Sequence, residues 1–123
     1  MDASFTPPLP LRNTHIQTIL ASLRLRKILA RRQAGELLAN SSQHILDCGG
    51  GVRLLGALSC GTGHKQGLVT LLHGWEGSID SGYILSAGAT LFHHGYDVFR
   101  LNLRDHGASH HLNRDLFNST RLD

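Results

Sequence analysis

The chain has 123 residues, which is enough for one domain and too few for two. Hydrophobic residues make up 41% and charged residues 17%, an ordinary globular composition that excludes disordered, collagen-like and coiled-coil proteins. Twelve Lys and Arg against nine Asp and Glu give a net charge of +3, so the basic excess is modest.

Targeting signals are not evident in the sequence. The longest fully apolar run, around Leu71, is far shorter than the roughly 20 residues that a membrane-spanning helix needs. Residues 1–10 lack the basic start and apolar stretch of a secretory signal. The two cysteines, Cys48 and Cys60, have no C-x-x-C spacing. These features predict a cytoplasmic protein with reduced cysteines and no integral membrane segment.

The N-terminal part, residues 1–42, is predicted to hold an extended segment and one helix. All three prolines fall in residues 5–10, which favours an extended surface segment. Thr14 and Gln17 have capping-box spacing, and apolar residues then recur along one helical face at Ile16, Ile19, Leu20 and Leu23. The pattern predicts a helix over residues 14–32.

Basic residues cluster on the second half of this helix, at Arg24, Arg26, Lys27, Arg31 and Arg32. A solvated face is the simplest interpretation, and contact with membrane headgroups or acidic partners is the alternative. The cluster contains no aromatic residue on which bases stack, so nucleic acid is not an expected partner.

Residues 43–123 are predicted to form an α/β core that begins with a β-hairpin. Residues 43–59 contain two strand-like runs around three consecutive glycines, Gly49 to Gly51. Cys48 then lies beside the turn and Cys60 at the far end of the hairpin, too distant for a disulfide bond.

A βαβ unit is predicted next. Residues 67–72 form the apolar run typical of a strand buried on both faces, and helical periodicity follows over residues 81–94. Residues 96–103 read as a second strand. Strand, helix and strand within about 37 residues predict a parallel pair joined by a right-handed crossover.

The loop at residues 73–83 leaves the carboxyl end of the first of these strands. Such loops bind ligands in α/β proteins, because backbone N–H groups and the helix dipole converge on negative charge. A free N–H here can donate to an oxyanion, whereas the alternative is that its glycines merely make the connection. The loop matches neither a P-loop nor a G-x-G-x-x-G turn, and Trp75 and Glu76 would crowd and repel phosphate.

Histidines are concentrated in the last third of the chain. His106 and His110 are four residues apart with His111 adjacent, which on a helix would begin a zinc site. Gly107 and the preceding strand favour a loop instead, in which histidines pack and form hydrogen bonds, and we expect no metal.

Four polar residues near this loop have predicted structural roles. Arg104 and Asp105 are expected to form an ion pair or to anchor the loop. Asn102 and Asn113 are expected to form loop hydrogen bonds.

Three segments in order along the chain resemble the α/β-hydrolase superfamily, and more narrowly its YheT-like esterase branch. They are LRNTHIQTI at residues 11–19, LHGWEGS with SGY at residues 72–83, and RLNLRDHG at residues 100–107. Position 105 is more often glycine in the wider superfamily, and the aspartate form with the following His110 and His111 resembles this branch. The resemblance implies the N-terminal part of a hydrolase fold with a mostly parallel sheet, incomplete in this chain.

The same resemblance implies acyl transfer from a carboxylic ester to water, without a cofactor. Trp75 would lend its backbone N–H to the oxyanion hole, with His73 and Gly74 shaping the turn. No stretch of the chain fits the Gly-x-Ser-x-Gly nucleophile elbow. Ser109 comes nearest, but it lacks the second glycine and follows the wrong strand. The catalytic serine, acid and histidine are therefore expected after Asp123, and this polypeptide alone is expected to be inactive.

The implied topology also bears on partners. With no nucleophile strand beside it, the strand at residues 67–72 would have a bare apolar edge. Covering helices would also be absent, which would leave apolar sheet faces in water. This polypeptide alone is therefore expected to be poorly folded or to self-associate. The alternative to an esterase fragment is a non-catalytic remnant or a binding protein that completes its sheet with a partner.

Overall fold

The computed structural model describes residues 6–22, 24–63 and 65–118. These described residues contain four α-helical segments and four β-strands, with short 3-10 helices at Leu9–Arg12 and Gly107–Leu112. The α-helices and strands are α1 (Thr14–Ser22), α2 (Arg24–Gln33), α3 (Gly35–Ala39), β1 (Ser41–Asp47), β2 (Arg53–Ser59), β3 (Gly67–Leu72), α4 (Gly82–His93) and β4 (Tyr96–Leu101).

The four strands form one open sheet in the order β1-β2-β4-β3. The β1–β2 and β2–β4 pairs are antiparallel, and only β3 and β4 run parallel, from Gly67 opposite Tyr96 to Leu72 opposite Leu101. The described chain is thus a mixed α/β structure whose sheet is mostly antiparallel. The predicted βαβ unit is confirmed in its elements and in its parallel pairing.

The predicted hairpin is also confirmed. Ser41 pairs with Ser59 and the register continues to Asp47 opposite Arg53. Gly49, Gly50 and Gly51 have φ angles of 80°, 57° and 79°, which side chains disfavour, so the three glycines permit this turn. Both cysteines are free, as predicted.

The core lies where α4 packs on one face of the sheet and α2 and α3 pack against α4. Val98 of β4 and Leu85 of α4 are completely buried, and Leu71 of β3 packs beside them. Gly88 brings α4 close to the sheet: a Cβ at this position would lie 3.6 Å from both Leu71 Cδ1 and Val98 Cγ1. The buried cluster consists of Ala30, Ala34, Leu37, Leu85, Ala89 and Val98.

Strand β3 is not buried on both faces, which corrects the prediction from its apolar sequence. Leu68 and Leu72 are 62% and 57% exposed. Successive side chains of a strand point to opposite faces, so both lie on the face opposite Leu71. β3 is also the last strand in the order, and no described strand pairs with its outer side. The predicted bare edge is therefore present in the described residues.

The N-terminal region is helical where a helix was predicted, but its cap differs. Residues 14–22 (α1) and 24–33 (α2) are helical, and residue 23 lies outside the described residues. The cap is Asn13 rather than Thr14, because Asn13 Oδ1 accepts the N–H groups of His15 (2.9 Å) and Ile16 (3.4 Å). Asparagine is among the best N-cap residues, and its short side chain reaches these donors.

The proline-rich opening is extended only in part. Leu9 and Pro10 belong to the first 3-10 helix, where a missing N–H is tolerated in the first turn. The first five residues, which include Phe5, lie outside the described part. Among the helices that the structure describes, none is long and apolar enough to cross a membrane.

Candidate functional site

The candidate site lies at the carboxyl ends of β3 and β4. These strands are parallel neighbours with Leu72 opposite Leu101, so the loops that follow them emerge side by side. The first loop contains Trp75, whose backbone N–H is predicted to serve an oxyanion hole, and His73 and Gly74, which are predicted to shape the turn. The second leads into the second 3-10 helix.

His73 joins the two loops. Its side chain is buried, and its Nε2 accepts the backbone N–H of Leu103 at 3.0 Å. Its Nδ1 lies 2.8 Å from the carbonyl oxygen of Gly74. We assign the proton to Nδ1 from these partners, because Nε2 must be the acceptor. His73 is thus a structural bridge with both ring nitrogens engaged.

A tight turn follows His73. The Gly77 N–H donates to the Gly74 carbonyl at 3.0 Å, and the Gly74 N–H donates to Tyr83 Oη on α4 at 2.7 Å. Gly77 is required by close approach, since a Cβ there would lie 2.8 Å from Tyr83 Oη and 2.9 Å from the Gly74 oxygen. Within this turn Glu76 has φ of 56°, an unusual conformation for a residue with a side chain.

Trp75 lies at the tip of the turn. Its side chain is 77% exposed, and its ring contacts Phe117 edge-on at a centroid distance of 5.9 Å. In the described part of the chain, its backbone N–H has no hydrogen-bond acceptor, although the N–H groups of Gly74 and Gly77 are both engaged. The Glu76 N–H likewise has no acceptor among the described residues, so the turn holds two uncommitted backbone donors, Trp75 and Glu76, between two fixed ones. The role of the Trp75 N–H in an oxyanion hole stays a prediction.

Two residues of β4 and its following loop hold the far side of the first loop. Asn102 is buried and its Oδ1 accepts the Ile79 N–H at 2.8 Å, and Arg100 donates to the Ile79 carbonyl at 3.1 Å. Arg100 also donates to Ser41 Oγ on β1 at 2.9 Å. Burial lowers the pKa of the Arg100 guanidinium, and the charge of Asp80 opposes this shift. The predicted hydrogen-bonding role of Asn102 is confirmed.

The second 3-10 helix holds Ser109 in a closed arrangement. Ser109 is 1% exposed, its hydroxyl donates to the His106 carbonyl at 2.7 Å, and its Oγ accepts the His106 N–H at 3.2 Å. A serine with these partners contributes to the start of a helix, and its oxygen does not face solvent as a nucleophile must.

The histidines of this region do not form one cluster: His106 contacts His73, whereas His110 pairs with Asp105. The His106 ring lies 4.9 Å from the His73 ring and 5.0 Å from the Phe117 ring, whereas His110 Nδ1 lies 2.6 Å from Asp105 Oδ1. No group of three or more potential metal ligands occurs in residues 6–22, 24–63 and 65–118. The segment is a 3-10 helix rather than an irregular loop, and its histidines pack and form hydrogen bonds.

Arg104 and Asp105 do not pair with each other. Arg104 lies 3.3 Å from Asp115, and Asp105 takes His110 as its partner. Asp105 has φ of 60°, so the chain turns sharply between the two side chains. The predicted ion pair is thus wrong in its partners, although both residues anchor the loop.

Asn113 fastens the end of this segment to β2, as predicted. Its Oδ1 accepts the Arg53 N–H at 2.8 Å, and its Nδ2 donates to the Arg53 carbonyl at 2.7 Å. Arg53 Nη2 in turn donates to the Leu112 carbonyl at 2.8 Å.

No role was assigned from the sequence to two residues that contribute to this site, Tyr83 and Phe117. Tyr83 supplies the hydroxyl that holds the Gly74 N–H, and the only signal for it was the SGY segment of the resemblance. Phe117 contacts both Trp75 and His106, and nothing in its sequence neighbourhood distinguishes it.

A separate cleft lies near the amino ends of β3 and β4. Its volume is about 520 Å³, and its lining includes Glu36, Gly61, Lys65 and His93. Lys65 Nζ lies 2.7 Å from Asp97 Oδ2 and the Gly61 N–H donates to Asp97 Oδ1. These polar groups are engaged with one another, and the cleft contains none of the residues of the candidate site.

Comparison of the chain with protein-family models, with curated proteins and with solved structures finds no match.

Proposed function

We propose that this chain is the N-terminal part of a serine-type α/β hydrolase that acts on carboxylic esters. In this proposal the turn at residues 73–77 supplies one half of an oxyanion hole. The nucleophile, the acid and the catalytic histidine follow after Asp123, and the sheet continues beyond β3 in parallel. The observation that carries the proposal is the uncommitted N–H of Trp75 at the carboxyl end of a parallel strand.

The surroundings of this N–H support the proposed role. An oxyanion donor must be held in place before the reaction, so that no reorganisation is needed when negative charge develops. The turn is held by the hydrogen bond from the Leu103 N–H, in the loop after β4, to His73, by Tyr83 from α4 and by the Gly77–Gly74 hydrogen bond. The Trp75 side chain is exposed beside Phe117, which offers an apolar surface for an acyl group. Esters of medium or longer acyl chains are the expected substrates.

The first test is the nucleotide sequence that follows the codon for Asp123. An in-frame continuation with Gly-x-Ser-x-Gly within about 30 residues, followed by an acid and a histidine, supports the proposal. The absence of this pattern from all three forward frames would remove the esterase assignment. Treatment of the 123-residue polypeptide with a fluorophosphonate probe is expected to label no serine. Labelling would place the nucleophile within these residues and overturn that part of the proposal.

The second test separates the backbone N–H from the side chain at position 75. In the polypeptide with its continuation, Trp75→Pro removes the donor and should lower kcat for a p-nitrophenyl ester by about 10²- to 10³-fold. Trp75→Ala keeps the N–H and is the matched control, with a much smaller loss. Circular dichroism establishes that both variants fold. Equal losses of kcat in the two variants would assign the effect to the indole ring instead.

A binding protein that completes its sheet with a partner is the second candidate. It is favoured by the outer edge of β3, which contains neither a charged residue nor a proline and has no partner strand in the described chain. A continuation without a nucleophile elbow, together with a stable complex in which the β3 amides are protected from hydrogen exchange, would select this function over the esterase.

A further inference from the structure

The basic residues of the N-terminal region form a segment of one charge sign. No acidic residue occurs between Asp2 and Glu36, whereas six of the twelve Lys and Arg residues do. Five of these six lie on the ten-residue helix α2. Because all nine acidic residues are outside this segment, the rest of the chain is net negative and the positive charge is concentrated on one element.

Helix α2 also exposes large aliphatic side chains. It packs against α4 through Ala30, which is 8% exposed and lies beside Gly82, where a Cβ would be 3.8 Å from it. Ile28 and Leu29 are 51% and 57% exposed. Ile28 and Arg32 are four residues apart and so lie on one side of the helix, away from Ala30. The outward surface therefore combines aliphatic and cationic groups.

Helix α1 exposes a second aliphatic stripe. Ile16, Ile19 and Leu20 have the spacing of one helical face and are 38%, 59% and 38% exposed. The sequence leading into α2 thus presents further apolar surface, and it contains no acidic residue.

The composition of this surface distinguishes between possible anionic partners. Single-stranded nucleic acids are bound by cationic groups together with aromatic rings on which the bases stack, and α2 contains no tyrosine, phenylalanine or tryptophan. Exposed isoleucine and leucine gain nothing from a phosphate backbone. An anionic bilayer satisfies both parts, because aliphatic side chains enter the boundary between headgroups and acyl chains while Lys and Arg meet the lipid phosphates and carboxylates.

We propose that α2, assisted by α1, is a peripheral binding surface for bilayers rich in anionic lipids. The helix lies in the plane of the interface, with Ile28 and Leu29 inserted and with Arg26, Lys27, Arg31 and Arg32 at headgroup level. This surface is independent of the turn at residues 73–77, so the proposal does not rest on the esterase assignment.

Vesicle flotation tests the proposal. The 123-residue chain should float with phosphatidylcholine vesicles that contain about 30% phosphatidylserine and should remain unbound with phosphatidylcholine alone, since each basic residue near an anionic surface strengthens binding about fivefold. Arg31→Gln should weaken partitioning by this factor. Binding should also fall as salt is raised, because the charges are screened.

Matched variants separate this surface from non-specific adhesion. Arg114→Gln removes one exposed positive charge outside this surface and should have little effect on vesicle binding. Ile28→Ser should weaken vesicle binding, whereas Leu116→Ser, which is outside this surface, should have little effect. The four substituted residues, Ile28, Arg31, Arg114 and Leu116, are all exposed, so the variants are expected to keep the fold. Circular dichroism checks this. Equal binding to both vesicle types, equal effects of the Arg31 and Arg114 variants, or binding to duplex DNA in place of anionic vesicles would each overturn the proposal.

Discussion

Strands β3 and β4 are parallel neighbours, yet their burial is the reverse of what their sequences indicate. β3, GLVTLL, has no charged residue and leaves Leu68 and Leu72 more than half exposed. β4, YDVFRL, contains an aspartate and an arginine, and its Val98 and Arg100 are 0% and 2% exposed. The difference has two causes. Leu68 and Leu72 lie on the face opposite Leu71, whereas the register places Val98 and Arg100 on the same face as Leu71, which α4 covers. In addition, β4 lies between β2 and β3, whereas β3 is at the edge of the sheet.

This contrast separates apolar content from burial. Edge strands of natural proteins are usually protected by charges, proline or bulges. The other edge, β1, has His44 and Asp47, whereas β3 has no such protection. An apolar strand in the edge position is therefore suited to pairing with a further strand.

Charging the β3 edge should have the largest effect. In Leu68→Lys, two paired β3 edges would carry two lysines in place of two leucines. The like charges together with the lost apolar contact should cost several kcal/mol and weaken self-association about a hundredfold or more. Sedimentation velocity over a range of concentrations measures this change. Ile45→Lys is the matched control, since Ile45 is 58% exposed on the opposite edge. A wild-type chain that is monomeric throughout, or equal changes in both variants, would contradict the prediction.

Truncation of one aliphatic side chain in each strand should have the next largest effect, and the loss of stability should differ between β4 and β3. Val98→Ala removes two carbons from a fully buried site and should lower the free energy of unfolding by about 2 kcal/mol. Leu72→Ala, on the exposed face of β3, should change it by less than about 0.5 kcal/mol. Urea denaturation in the Leu68→Lys background keeps self-association out of the measurement. Comparable losses in the two variants would indicate that the exposed face of β3 is covered in solution.

Replacement of the buried Arg100 by lysine should lower the free energy of unfolding by less than truncation of Val98. Arg100 donates from separate nitrogens to Ile79 and Ser41, and a lysine cannot reproduce this fork. Arg100→Lys should therefore cost about 1.5 kcal/mol in the same urea experiment. The exposed Arg114→Lys should leave stability unchanged. No loss in Arg100→Lys would show that these hydrogen bonds do not hold β1 and the loop in place.

The smallest effect is expected at the amino end of β4. Hydrogen bonds from Lys65 and from the Gly61 N–H lower the pKa of Asp97. The hydrogen bond between Lys65 and Asp97 also raises the pKa of Lys65. The Asp97 contribution is present above the unfolded pKa of about 3.8 and is lost as pH falls through the lower folded value. The Lys65 contribution is present below about 10.5 and is lost as pH rises through the higher folded value.

Urea midpoints measured across the acid range test the carboxylate part of this pair. Asp97→Asn should reduce the loss of stability on acidification. Asp47→Asn removes a carboxylate from β1 while leaving the pair intact, so the acid-side loss from Asp97 should persist in that variant. An unchanged acid-side profile in Asp97→Asn would refute the prediction.

Local structure was predictable wherever short-range physics decides it. The three glycines and the flanking strand-like runs predicted the hairpin, because turn conformation depends on the residues in the turn. Periodicity predicted α4 and the strands on either side of it. Asn102 and Asn113 were also predicted as loop hydrogen bonders, since short amide side chains favour backbone partners.

Predictions that needed a specific partner were less successful. Arg104 was expected to pair with its neighbour Asp105, but the left-handed conformation of Asp105 turns the two side chains toward Asp115 and His110. The cap of α1 was assigned to Thr14, although Asn13 performs it. At the candidate site, the glycines marked the turn, whereas the contribution of Phe117 depends on an approach between distant parts of the chain.

The sequence by itself determined the hairpin, the βαβ unit, the glycine-containing turn after β3 and the concentration of basic residues on α2. Each depends on residues close together in the chain. Only the tertiary structure decided that β3 lies at the sheet edge, that Arg100 is buried, and that His73 and Tyr83 fix the turn around Trp75. These features depend on strand order and on contacts between distant residues, and the local pattern of hydrophobicity contains no information about either.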